Sequence, residues 1–243
     1  MINYIKSELL RTFKTPIYKG LLLFSLAIIV ITVGVIKLTN PNFENYFLIM
    51  ESFASLAILL VSSISAIIAY KTKDTKIQIL SHGVRRSEMF FWDLISMQLI
   101  SLVTTLILAA LAIISGIFVE GLGNLEPYKA FIHMVGNMIF LNINLNNAIM
   151  GLVYLSNNVS LGAISNYILI PLLTMMLSMF SKETRFEPFF NVLSEIQPYS
   201  ILQKFASSES LFSNIKVIGI SIIFVLIAYV GTGLLAFKKR EIY

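Results

Sequence analysis

Residues 130 to 181, AFIHMVGNMIFLNINLNNAIMGLVYLSNNVSLGAISNYILIPLLTMMLSMFS, contain no Asp, Glu, Lys or Arg. A bilayer core about 30 Å thick is crossed by roughly 20 apolar residues as helix. This run as one helix would be more than twice that long. It must fold back on itself, and the turn chemistry inside it is Ser156-Asn157-Asn158. That hairpin, with four more apolar blocks around it, predicts an all-α polytopic membrane protein with six transmembrane helices.

Composition agrees with this reading. Of 243 residues, 57% are apolar and 13% charged, against about 25% charged in soluble domains. The charges cluster between long neutral blocks, as hydrocarbon requires. One transmembrane domain over residues 1 to 243 fits the length, with no room for a soluble catalytic domain. The net charge of +5 does not indicate nucleic-acid binding, because no basic run is interleaved with aromatics. The chain has no Cys and two His, with no His-Glu-x-x-His motif, so thiolate and metal chemistry lack ligands. Met1 to Lys19 is charged throughout and no small-residue site follows the first apolar block, which argues against a cleavable signal.

The expected spans are 20–36, 47–70, 90–119, 131–155, 160–180 and 217–237. Orientation follows from the basic residues near span ends. One side collects Lys6, Arg11, Lys14, Lys19, Lys71, Lys73, Lys76, Arg85, Arg86, Lys238, Lys239 and Arg240. The other has Lys37, Lys129, Lys182, Arg185, Lys204 and Lys216. Twelve against six places both termini in the cytoplasm of a bacterial plasma-membrane protein.

Three segments are not simple spans. Ile2, Ile5, Leu9, Phe13 and Ile17 recur every three or four residues and predict an interfacial amphipathic helix over residues 1–19. A frayed basic leader is the plainer alternative. Residues 71–88 form the second segment. Asp74 or Thr75 suits an N-cap there, and Gly83 suits the position after the helix C-terminus. Ile77 and Leu80 fall on one face between them. A short capped helix of this kind suits a groove on a cytoplasmic partner, and a basic loop that merely sets orientation fits the pattern equally. The third segment, 181–215, is too charged to span and too apolar to be a free loop. Two short outer helices broken at Pro198 fit it.

The run Asp74-Thr75-Lys76, followed by Leu80, Gly83, Val84 and Arg86, resembles the cytoplasmic loop of ABC-2 type exporter permeases. The family often has Gly-Thr-Leu where this chain has Asp74-Thr75-Lys76. The basic leader, the six expected spans, the outer segment and the tail Phe237-Lys-Lys-Arg-Glu-Ile are similar too. The resemblance implies a partner ATPase subunit gripping Asp74, Thr75, Lys76, Ile77, Leu80, Gly83, Arg85 and Arg86. It would also touch the turn Ser156, Asn157 and Asn158. ATP and Mg would be bound by that partner, since this chain lacks Gly-x-x-x-x-Gly-Lys-[Ser/Thr]. No cofactor is expected here. A second copy, or a homologous permease, would complete the path. Small permeases of this kind resemble exporters of, or immunity factors against, antimicrobial and cytolytic peptides such as phenol-soluble modulins.

Polar residues inside the blocks mark either packing or a path. Glu51 lies about one turn into the second span, either paired with Lys37 or simply wet. Asn142 and Asn146 share a face, with Asn137, Asn144, Asn147 and His133 nearby. Their low helix propensity predicts a break in the fourth span, and interhelical hydrogen bonding is their expected role. Trp92, Tyr46, Tyr70, Tyr128 and Tyr154 read as interfacial anchors. A vitamin-uptake membrane subunit is the alternative function, and an intramembrane enzyme built on Ser165 a weaker one, because no His faces it from the sixth span.

Overall fold

The computed structural model describes residues 2–39, 46–70, 73–120, 126–165, 167–183, 187–206 and 215–239. Every regular element among them is helical. In order they are α1 (Ile2–Lys14), α2 (Pro16–Thr39), α3 (Tyr46–Ala69), α4 (Lys73–Ser81), α5 (Arg86–Glu120) and α6 (Glu126–Ser156). Then come α7 (Val159–Ser165), α8 (Leu169–Glu183), α9 (Glu187–Glu195), α10 (Pro198–Ala206) and α11 (Ile215–Val225). A π-helical stretch, Leu226–Gly231, leads into α12 (Thr232–Lys239).

Among the described residues, four helices are long and apolar enough to cross a membrane: Pro16–Leu38, Arg86–Val119, Glu126–Ser156 and Ile218–Lys239. A fifth exists if the bent pair Val159–Ser165 and Leu169–Met179 is one span. The helix α3 has 24 residues, and its described apolar stretch is Leu56–Ala69.

The expected straight span over 160–180 is therefore two helices meeting at 45°. Pro171 supplies the reason. It has no N–H for the Tyr167 carbonyl, and in a continuous helix its ring would clash with that oxygen. The chain turns instead at Tyr167 and Ile168, whose N–H groups both reach the Ile164 carbonyl, at 2.9 and 3.1 Å. The fourth span departs in the opposite sense. A break was expected across its asparagines, yet α6 runs 31 residues uninterrupted, because those amides find partners on neighbouring helices.

The centre of the bundle is α6. Of its apolar window, 72% is buried, against 17% for Pro16–Leu38. It packs against α3, α5 and the π–α12 segment. Gly151 of α6 is pressed against the Tyr229 backbone, and Gly233 against the Gly151 backbone, so a side chain at either would collide with main chain. Two apolar clusters mark the two ends. One holds Tyr46, Phe47, Met50, Tyr128, Phe131 and Leu202. The other holds Phe90, Met97, Tyr154 and Phe237.

Three expected interfacial anchors are thus inside the protein: Tyr46, Tyr128 and Tyr154 are all buried. Buried tyrosines need hydroxyl partners. Tyr46 OH lies 2.5 Å from Ser115 Oγ, and Tyr154 OH donates to Asp93 Oδ2 at 2.6 Å. Tyr70 and Trp92 are half-buried.

Pro198 opens α10, where its missing N–H is tolerated. The corner before it turns back into the bundle: Ile201 and Leu202 are buried, and Ser221 Oγ donates to the Ile196 carbonyl. At the other end, Thr15 interrupts the chain between α1 and α2. Thr12 is buried and the Arg11 guanidinium donates to the Ile68 carbonyl. Phe13 and Ile17 of the predicted stripe stay exposed, while the side chains of Ile2, Ile5 and Leu9 lie outside the described residues.

Candidate functional site

The residues read from sequence as a docking region meet at one end of the bundle. Asp74, Thr75 and Lys76 form the first turn of α4, which starts at Lys73, two or three residues before a cap at Asp74 or Thr75 would start it. The side chains of Asp74 and Lys76 lie outside the described residues. Gly83 follows the helix with φ +83°, and its N–H bonds the Leu80 carbonyl at 3.0 Å. That left-handed conformation is one an L side chain resists.

Ile77 and Leu80 do not serve one face. Leu80 packs with Ile79 and Val84 against the bundle end, while Ile77 is 40% exposed. At 100° per residue, the direction midway between Ile79 and Leu80 is about 110° from Ile77. Seating those two on the bundle turns Ile77 outward beside the exposed Gln78, Ser81 and His82.

The following turn ties α4 to the rest. Glu88 Oε2 accepts from the Arg85 backbone N–H at 3.3 Å, one arm of a capping box. The Arg86 guanidinium donates to the Lys238 carbonyl at 2.9 Å and satisfies the end of α12. Across from it, Asn157 has φ +56°, and Asn158 Oδ1 caps α7 by accepting from the N–H groups of Ser160 and Leu161. Ser156 Oγ accepts from the Asn158 N–H at 3.3 Å. Tyr70 OH donates to Asn157 Oδ1 at 2.9 Å, joining the approach to α4 with the α6–α7 turn 87 positions away.

Beneath this end lies a polar core. Asn142 accepts from Ser62 Oγ and donates to Thr105 Oγ1, both at 2.9 Å, linking α3, α5 and α6. Asn146 Nδ2 donates to Gln98 Oε1 at 3.0 Å, and Gln98 Nε2 donates to Asn147 Oδ1 at 2.9 Å. Asn144 Nδ2 donates to Ser221 Oγ at 2.7 Å. Interhelical bonding was expected, and Asn142 serves it on both of its polar atoms. The Oδ1 oxygens of Asn144 and Asn146 have no protein partner among the described residues.

Three members of this core were missed from sequence. Asp93 is fully buried against Tyr154, and the available signal was its standing as the only charged residue between Met89 and Val119. Gln98 gave no periodic signal. Tyr229 OH donates to Gln197 Oε1 at 3.0 Å, joining the last span to the α9–α10 corner. The Glu51 side chain lies outside the described residues, and Lys37 is exposed.

Higher in the bundle, an open-sided cleft of about 740 Å³ runs between α2 and the body formed by α3, α5 and α6. Its walls are aliphatic, aromatic and methionine side chains with two hydroxyls, Ser25 and Thr105. Among the described residues, no group of three His, Asp or Glu could hold a metal ion. Comparison with protein-family models finds no match, and none of the curated proteins matches the chain.

Proposed function

We propose that this chain is the membrane permease subunit of an ATP-driven exporter of the ABC-2 kind. In this reading α2, α3, α5, α6, the α7–α8 pair and α11–α12 are six spans, with both termini in the cytoplasm. The α4 end is then the cytoplasmic one, where a separate ATPase subunit binds ATP and Mg and seats on Ile77 and the Ser156–Asn158 turn. Two permeases pair to enclose the path. The cargo is an amphipathic or antimicrobial peptide, or a compound of similar character, because the polar groups buried between the helices are, Asp93 apart, amides and hydroxyls.

One observation carries this reading: the Tyr70–Asn157 bond unites the α4 approach and the α6–α7 turn into a single docking end. The Arg86 contact with α12 then links that end to the last span, a connected element of the kind a motor can bias. The test is co-purification and reconstitution with an ABC ATPase subunit, sought among the genes beside this one. The permease alone should hydrolyse no ATP. The pair should, and Ile77→Asp should lower the stimulation at least fivefold with insertion unchanged. Nucleotide turnover by the permease alone, or full stimulation in Ile77→Asp, overturns the assignment.

A further inference from the structure

We propose that the cleft between α2 and the bundle body holds a single hydrocarbon chain supplied by a membrane lipid. This rests on the membrane embedding in the reading above and not on export. The floor of the cleft is fully packed protein: Ala54, Val61, Ala112, Met134 and Met138 are all buried. Its mouth is not. Phe24 on α2 is 54% exposed, and Phe53 and Leu56 on α3 are 39% and 43% exposed, so the opening lies between these two helices.

The mouth is continuous with an uninterrupted apolar surface on α2, where Leu23, Leu26, Val30 and Ile31 are also exposed. In a membrane that surface faces acyl chains, so the medium at the mouth is hydrocarbon. The lining carries no charge, and Thr105 already accepts from Asn142. A headgroup or polar solute would leave its own groups unsatisfied there. An empty cleft would forfeit dispersion contacts along both walls, and α2 is the least buried of the membrane-length rods.

Size separates a chain from a helix. From Met50 to Val61 the cleft follows α3 for about 16 Å at 1.5 Å per residue. The space between the walls amounts to about 90 Å³, the 740 Å³ counting the open side as well, and a helix about 10 Å across does not enter a gap of that size. A second copy's helix, or a helical peptide cargo, is therefore too large. An extended alkyl chain is not, and flexible methionines on the floor suit its irregular outline.

The test uses the full chain in nanodiscs whose phospholipid carries a diazirine at mid-chain, with mass-spectrometric mapping after irradiation. Labelling should concentrate on peptides carrying Met50, Met134 and Met138, at least fivefold above the outward-facing Ile223 of α11. Ala109→Trp fills the cleft from α5 and should reduce that labelling at least fivefold, leaving Ile223 unchanged. Ala57→Trp fills it from α3 and should do the same, covering failure of the first variant to insert. Even labelling of all outward faces, or wild-type labelling in an inserted variant, overturns the proposal. So does preferential labelling by a photoreactive helical peptide over the lipid. ATPase stimulation measured in parallel keeps the two readings apart: unlabelled cleft with normal stimulation removes the lipid site and leaves export standing.

Discussion

Replacing Asn142 by Leu removes two interhelical bonds while nearly preserving volume. The amide is 3% exposed and holds Ser62 of α3 and Thr105 of α5 at 2.9 Å each. Interhelical hydrogen bonds in membrane proteins average about 0.6 kcal/mol and reach about 1.7, so two together set a range of about 1–3 kcal/mol. The freed hydroxyls can turn back to the carbonyls four residues earlier, as Thr174 does to Ile170, which moves the expected loss to about 1–2 kcal/mol. Reversible denaturation in mixed micelles can follow this, read through Trp92, the chain's single tryptophan. A double-mutant cycle with Thr105→Val isolates one bond and should give a coupling of about 0.5–1.5 kcal/mol. Unchanged stability with a coupling under about 0.3 kcal/mol would refute the argument that this amide binds helices together. Lost transport at unchanged stability would move Asn142 to the path.

Further outcomes follow from other positions. Gly151→Ala would drive a Cβ into the Tyr229 carbonyl oxygen, an overpacking worth about 1–3 kcal/mol in the same titration. Gly34→Ala meets nothing within 4 Å and should stabilise by up to about 1 kcal/mol. Gly83→Ala must hold φ near +83°, costing about 1–2 kcal/mol locally. Faster proteolysis at the loop should report it. Because the chain lacks Cys, His82→Cys and Glu187→Cys report sidedness directly. An impermeant maleimide should label Glu187→Cys on intact cells and His82→Cys only after lysis; the opposite pattern would reverse the assignment of sides, and labelling of both on intact cells would overturn the placement of these two positions on opposite sides.

What could be read ahead of the structure followed from local chemistry. Gly83 announced a left-handed residue, Pro198 a break between two short helices and Ser156-Asn157-Asn158 a turn, since each role is decided within a few positions. Membrane-length apolar rods were equally plain from charge segregation. Roles settled by distant neighbours were not. The asparagines of α6 looked helix-breaking because propensity counts only the local backbone, whereas Ser62, Gln98, Thr105 and Ser221 complete their bonds from elsewhere. Tyr154 looked interfacial by its position near a span end, until Asp93 gave its hydroxyl an interior acceptor. Leu80 and Ile77 share a nominal face in a two-turn helix, and the site at which α4 rests on the bundle separated them. Pro171 was legible and went unread; its ring alone explains the bend between α7 and α8.

The π-helical stretch sets the phase of the final rod. Its inward residues, Ser221, Val225, Tyr229, Gly233 and Phe237, fall at strict intervals of four. In an ordinary α-helix four such steps would swing the last of them about 160° from the first. A wider turn at Leu226–Gly231 takes up much of that rotation, as a spacer resets a thread. The same side can therefore meet Ile196 at one extremity and Tyr154 at the other. Excising one residue from that turn would restore a uniform pitch and leave Gly233 and Phe237 within about 20° of the side that Val225 faces, so the rod should keep its seats.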